Sequence, residues 1–290
     1  MPNLYTLTQY LLPKQALTRL VGAGARCEGG ALTQWAIRRF IRRYQVNMQE
    51  AVEPDPSAYT RFNAFFTRAL RPDARPLASS DLICPVDGAV SQLGNIDAGR
   101  IFQAKGHDYT AVALLAGDSK LAEHFVDGQF ATIYLSPRDY HRIHMPCAGR
   151  LRQMVYVPGD LFSVSPATVA AIPGLFARNE RVVCVFEAPW GPWVLVLVGA
   201  AIVGSMATVW HGTVNPPRPG HIQRWDYLAQ DATDGAQATE TAVFLDRGAE
   251  MGRFMLGSTV VMLFPAGAPR LTTAWQPGQS VRMGEPMSQA

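Results

Sequence analysis

The run Arg181-Val182-Val183-Cys184-Val185-Phe186-Glu187, the break Pro189-Trp190-Gly191-Pro192 and the run Val194-Leu195-Val196-Leu197-Val198 decide the fold class. Short Val-rich runs bounded by Pro and Gly read as strands, and the Pro-Trp-Gly-Pro between them reads as a hairpin turn. The same texture recurs at 130–135, 150–157 and 258–264, always between Gly, Pro and Asp turns. From Cys84 onward the chain is therefore expected to form a mainly antiparallel β core.

Upstream the pattern changes to a helical one. Residues 4–12 are apolar with Thr and Gln interleaved. Pro13 suits the first turn of a second short helix, with Ala16, Leu17, Leu20 and Val21 on one face. Gly22, Gly24, Gly29 and Gly30 are expected to break it. A third helix is predicted over 32–44, with Ile37, Phe40, Ile41 and Tyr44 on one side and Arg38, Arg39, Arg42 and Arg43 on the other. Such a helix either packs on the core with a solvated basic face or lies on anionic lipid. Residues 52–80 form a connector rich in Pro, Asp and Arg, interrupted by Phe62, Phe65 and Phe66. The predicted class is α+β: a helical, membrane-docking N-terminal segment (1–60) on a mainly antiparallel β core (61–290).

Composition narrows the function. With 48% hydrophobic and 17% charged residues, the chain has the makeup of a folded protein and not of a disordered one. The longest apolar run, 193–203, is about half the roughly 20 residues of a spanning helix and reads as buried strand. Residues 1–4 lack the basic and apolar regions of a signal peptide. Membrane association is thus expected to be peripheral, at the cytoplasmic side of the cell membrane. The four cysteines, Cys27, Cys84, Cys147 and Cys184, form no CxxC pair and are expected to be reduced. Within 1–45 seven basic residues stand against one acid, Glu28, although the whole chain carries only +3. Nucleic acid is not the expected partner, because the basic charge stops there and no aromatic stacking platform accompanies it.

Three segments attract chemistry. They are Cys84-Pro85-Val86-Asp87-Gly88-Ala89, the block from Tyr134 to Pro146 that contains His141 and His144, and Gly252-Arg253-Phe254-Met255-Leu256-Gly257-Ser258-Thr259. Each has an ordinary reading. Asp87-Gly88 is a common turn pair. His141, His144 and Cys147 have metal-like spacing, but Pro146 interrupts the run, and no metal is expected. Gly257-Ser258-Thr259 before a Val run is a usual strand entry. Asp, His and Ser also make a hydrolase triad, although Ser258 is not in a G-x-S-x-G elbow.

The combination is more specific. From about Phe62 to Phe264 the sequence resembles the bacterial phosphatidylserine decarboxylase family. The blocks that carry the resemblance are Phe62-Asn63-Ala64-Phe65-Phe66-Thr67-Arg68, Pro85-Val86-Asp87-Gly88 and Tyr140-His141-Arg142-Ile143-His144-Met145-Pro146, with Pro158-Gly159-Asp160-Leu161-Phe162-Ser163-Val164 further on. Phe176-Ala177-Arg178-Asn179-Glu180-Arg181, Val198-Gly199-Ala200-Ala201-Ile202-Val203-Gly204-Ser205 and Leu256-Gly257-Ser258-Thr259 complete the set. One departure is Ser165, where the family usually has Asn.

The resemblance implies a proenzyme that cuts itself between Gly257 and Ser258 into a β chain, 1–257, and an α chain, 258–290. It assigns a relay of Ser258, His144 and Asp87 to that step. A serine hydroxyl needs a base near neutrality, which histidine supplies, and a carboxylate fixes the imidazole tautomer. Gly257 leaves its carbonyl open to attack. Ser258 then becomes a covalent pyruvoyl group, a pyruvate cofactor made from the chain. Phosphatidylserine condenses with it as a Schiff base, CO₂ leaves, and phosphatidylethanolamine is formed, so the protein is expected to be a carboxy-lyase of phospholipid biosynthesis. His141, beside His144 in the same block, is expected to position the substrate carboxylate or deliver a proton.

The expected partners are the anionic membrane surface, the phosphatidylserine substrate and the two self-cleaved chains as a heterodimer, with a dimer of that heterodimer left open. A pyridoxal enzyme needs a lysine in a recognisable site, and the three lysines, Lys14, Lys105 and Lys120, offer none. The competing readings are a serine hydrolase on lipid esters, a pyruvoyl decarboxylase of a soluble amino acid, and a non-catalytic membrane-binding β module.

Overall fold

A computed structural model describes residues 9–10, 13–200, 205–227, 242–255 and 259–289. Of the expected first helix only Gln9 and Tyr10 fall among them, both helical. Helix α1 (Lys14–Arg26) runs straight through Gly22 and Gly24, contrary to expectation. A glycine inside a helix costs only about 1 kcal/mol, and Ala23 and Ala25 carry the helix past both positions. Helix α2 (Gly30–Tyr44) begins two residues before the expected start and ends on Gln45 in the left-handed conformation. The short α3 (Phe62–Phe66) supplies the aromatic cluster.

The β core begins at β1 (Gly88–Asn95) and the small hairpin β2 (Arg100–Ala104) and β3 (His107–Thr110). It continues with β4 (Gln129–Tyr134), β5 (Arg142–His144), β6 (Gly149–Val157), β7 (Arg181–Ala188) and β8 (Gly191–Val198). Then come β9 (Met206–Thr208), β10 (Gly212–Asn215), β11 (Gln223–Asp226) and β12 (Phe244–Leu245). The last are β13 (Glu250–Phe254), β14 (Thr259–Phe264) and β15 (Ser280–Val281).

Among the described residues the main sheet has nine strands, in the order β11-β6-β7-β8-β14-β4-β1-β15 with β12 also on β6. A second sheet has the order β10-β9-β13-β5. The pairings within both are antiparallel. The hairpin read at 189–192 is a tighter one: Ala188 pairs with Gly191, so Pro189 and Trp190 alone make the turn.

Both faces of the central strands are buried, which explains why their sequences run apolar without alternation. On one face Val182, Cys184, Phe186, Trp193, Leu195 and Leu197 join Val260, Met262 and Phe264. On the other Val183, Val185, Val194, Val196 and Val198 join Val261 and Leu263. A third, smaller cluster of Ile37, Val46, Met48, Ala51, Phe65 and Phe66 ties α2 to α3 and to the chain between them.

Candidate active site

The two histidines are placed by β5, an edge strand of the second sheet. It pairs with β13, and the backbone carbonyl of His141 accepts from Phe254 N–H at 3.0 Å. His144 N–H donates to Pro85 O at 2.9 Å, which brings the Pro85-Val86-Asp87-Gly88 segment alongside. Asp87-Gly88 is not a turn pair. Gly88 opens β1, and a Cβ there would lie 2.4 Å from Tyr134 O and 2.9 Å from Ile133 Cγ2. Close approach of β4, not backbone freedom, is what requires glycine.

His141 is fully buried, with its ring centroid 4.1 Å from that of Phe66. Its Nδ1 lies 2.8 Å from the Asp139 carbonyl. A carbonyl only accepts, so Nδ1 carries the proton and Nε2 presents a lone pair. That Nε2 is buried and has no hydrogen-bond partner. Burial, reinforced by the charge of Arg68, pushes the imidazole down to about 3 against the Asp139 hydrogen bond. The ring is neutral at any physiological pH.

His144 is arranged in the same sense. Nδ1 donates to Gly248 O at 2.8 Å, and Nε2 receives the Tyr140 hydroxyl at 3.0 Å. Burial lowers its pKa, partly offset by the Gly248 hydrogen bond and by the charges of Glu250 and Asp87. Asp87 itself is not hydrogen-bonded to His144. Its carboxylate is held by Arg75, whose Nε lies 2.9 Å from Oδ1 and whose Nη2 contacts Oδ2, and by Met283 N–H at 2.9 Å. Arg75 Nη2 also contacts Glu50 Oε2 at 2.7 Å. Burial opposes the Glu50 charge, but the Arg75 hydrogen bond and charge outweigh it and hold that carboxyl below the usual range.

Gly257 and Ser258 lie outside the described residues. The chain on either side of them is described. Phe254 is bonded to His141, Met255 N–H donates to Ser205 O at 3.0 Å, and Thr259 opens β14 between Tyr134 of β4 and Val198 of β8. Asp87, His141 and His144 are thus brought to one sheet junction. Arg75 and Tyr140 bond directly to Asp87 and His144, and the sequence alone gives neither of them a role. Arg75 reads there as one more charge in a polar connector. Among the described residues no group of three His, Cys, Asp or Glu side chains gathers at metal-ligand spacing.

These features define a mainly antiparallel β protein with two histidines of fixed tautomer at one strand junction. Comparison with known proteins makes the class specific. A family model described as phosphatidylserine decarboxylase matches residues 62–289, and a second, described as PSD, matches residues 4–45. The phosphatidylserine decarboxylase proenzyme of Chromobacterium violaceum is 63% identical over 287 residues, covering 99% of each chain. Those of Delftia acidovorans and Methylibium petroleiphilum are 62% and 61% identical, over 99% of this chain and 97% of each of theirs. The chain belongs to the phosphatidylserine decarboxylase family.

Proposed function

We propose that this chain converts phosphatidylserine to phosphatidylethanolamine and CO₂ with a pyruvoyl group made from its own Ser258. The observation that carries the reading is the buried Nε2 of His141: an orphaned acceptor, beside the strand that leads to Ser258, in a family whose relatives are named proenzymes. When formed, a pyruvoyl group supplies a ketone that captures an amine and withdraws electrons from it.

For self-cleavage, Ser258 Oγ attacks the Gly257 carbonyl as its proton passes to Nε2 of His144, and the Gly257–Ser258 peptide bond breaks as the ester forms. β-Elimination then releases the Gly257 carboxylate, and the dehydroalanine left at 258 tautomerises to an imine that water hydrolyses to the pyruvoyl group and ammonia. Tyr140 now donates along that direction, and Ser258 takes its place. Gly248 O fixes the tautomer. Asp87 acts through its charge, which favours the protonated ring. The α chain, 258–290, stays bound after the cut because it contributes β14, hydrogen-bonded to β4 and β8 on either side, and β15, paired with β1.

For decarboxylation, the substrate's ammonium must lose protons before it reacts. His141 Nε2 takes one and returns it to the carbon that CO₂ leaves. The resting ring, held at about 3 by burial, is too weak a base for this, and the entering substrate carboxylate, a negative charge beside Nε2, is what favours its protonated form.

The N-terminal helices dock on the cytoplasmic face of the cell membrane. Leu20, Leu32 and Trp35 are exposed on them, and Arg19, Arg26, Arg38, Arg39, Arg42 and Arg43 are exposed beside these. Among the described residues no helix is long and apolar enough to cross a membrane.

The test is the product. Phosphatidylserine in liposomes should release CO₂ and yield phosphatidylethanolamine, and free serine should not react. Release of fatty acid instead would support the lipid-ester hydrolase, and turnover of free serine the soluble-substrate enzyme.

A further inference from the structure

Arg68 follows α3 and is 95% buried, at 5% exposure. A buried guanidinium normally faces a carboxylate or a full set of acceptors. Arg68 has neither. Its Nη2 reaches Arg138 O at 3.4 Å, its Nε has no partner, and no carboxylate lies within 4 Å of it among the described residues. It lines a cleft of about 350 Å³ together with Arg75, Asp87, Arg138, Tyr140 and Arg282.

The acids of this cleft are already engaged. Glu50 and Asp87 are bound by Arg75, and Asp139 accepts from Ser136 N–H at 2.7 Å. Arg138 and Arg282 stand at the rim, each 3.8 Å from an acid and more than 60% exposed. An anion entering the cleft would meet one buried guanidinium without a carboxylate partner, Arg68, and two exposed ones, Arg138 and Arg282.

We propose that this cleft is the subsite for the phosphodiester of the lipid headgroup, with Arg68 as its principal cation. The inference rests on the phosphatidylserine reading above. The substrate offers two anions, and the chemistry chooses between them. A cation fixed on the carboxylate would stabilise the ground state more than the transition state, because that charge moves away as CO₂ leaves. The phosphodiester keeps its charge throughout, and its two free oxygens match a guanidinium fork. The cleft also borders the catalytic groups: Tyr140 lines it and bonds His144, and the charge of Arg68 reaches His141. A phosphodiester held there lies on the same cleft as Tyr140, whose hydroxyl is 3.0 Å from His144 Nε2.

The test uses the self-processed enzyme and short-chain phosphatidylserine in micelles. Arg68→Gln should raise KM at least tenfold with kcat changed less than threefold, and Arg68→Lys should fall between that variant and wild type. Inorganic phosphate should inhibit the wild type competitively and should not inhibit Arg68→Gln. An unchanged KM, or a loss confined to kcat, overturns the proposal. So does phosphate inhibition that Arg68→Gln abolishes without any change in KM, which would mark a site for free phosphate. If Arg68→Gln does not fold, the absence of competition by phosphate in the wild type overturns it. A wild type that releases no CO₂ from phosphatidylserine refutes the activity itself, a separate outcome.

Discussion

Arg75 grips Asp87 with two nitrogens of one guanidinium, in a setting where both side chains are nearly buried. The same guanidinium holds Glu50, so one cation organises two carboxylates at the start of β1. Asp87 is thereby fixed with its charge near His144 and without a direct bond to it.

Removing the cation while leaving the acids is therefore costly. Breaking a buried pair from one side typically costs about 3–5 kcal/mol. Arg75→Met should destabilise the chain by that order, measured by urea unfolding in a Ser258→Ala background, and should slow self-cleavage in the otherwise natural chain. The pH dependence has a fixed sign. Glu50 is held below its unfolded value of about 4.3. Its contribution is fully present above that value and is lost as pH falls through the lower folded one. Wild type and Glu50→Gln should differ most above about pH 4.3 and converge in stronger acid.

Under the proposed function the two histidines act in different steps. His141→Ala should leave self-cleavage largely intact and abolish formation of phosphatidylethanolamine, whereas His144→Ala should remain one chain. Equal loss of both steps in His141→Ala would contradict its assignment. His141 should also show no titration by NMR between about pH 5 and 8, since an unperturbed histidine changes charge near 6.5 and this one near 3. A depressed histidine carries stability that is complete above about 6.5 and is lost as pH falls toward 3. His141→Asn should lack that acid-side loss.

Packing on the protein and the proposed docking on lipid would use different residues of α2. Ile37 is fully buried against Phe65 and Phe66, while Leu32 and Trp35 are mostly exposed. Leu32→Ala with Trp35→Ala should weaken binding to anionic liposomes and leave the unfolding midpoint nearly unchanged. Ile37→Ala should instead cost about 2–5 kcal/mol of stability. Near-surface arginines contribute about 1 kcal/mol each on anionic lipid. Changing Arg38, Arg39, Arg42 and Arg43 to Gln, deleting residues 1–45, or raising salt should each weaken binding. Co-sedimentation that responds to none of these would refute the docking role.

The β7–β8 hairpin was legible in the sequence because Val-rich runs meet at a Pro-Trp-Gly-Pro break, and a short-range turn leaves a short-range signal. The third helix was legible from its 3.6-residue period, which put Ile37 in the core. That period did not reveal that Tyr44 is partly exposed or that the exposed apolar residues are Leu32 and Trp35, since this depends on where α3 docks. The extent of α1 is not legible in the sequence, because glycine is a weak breaker among alanines. In sequence Gly88 reads as a turn residue, because the approach of Tyr134 comes from a strand about 45 residues away, and no local pattern encodes it. Arg68 and Arg75 were invisible for a related reason: a charged residue in a polar connector looks solvated until the fold buries it. His141 and His144 were found through the family blocks. Their tautomers follow from two carbonyls, Asp139 and Gly248, that only the fold brings near.

The central claim is that Ser258 is consumed by its own chain. Intact-mass analysis of the purified protein tests it most directly. Two chains should be found, divided between residues 257 and 258, with the smaller one beginning in a pyruvoyl group where serine is encoded. Ser258→Ala should remain a single chain near 31.7 kDa. A wild-type protein that stays whole at that mass, with an unmodified serine at 258, would contradict the account.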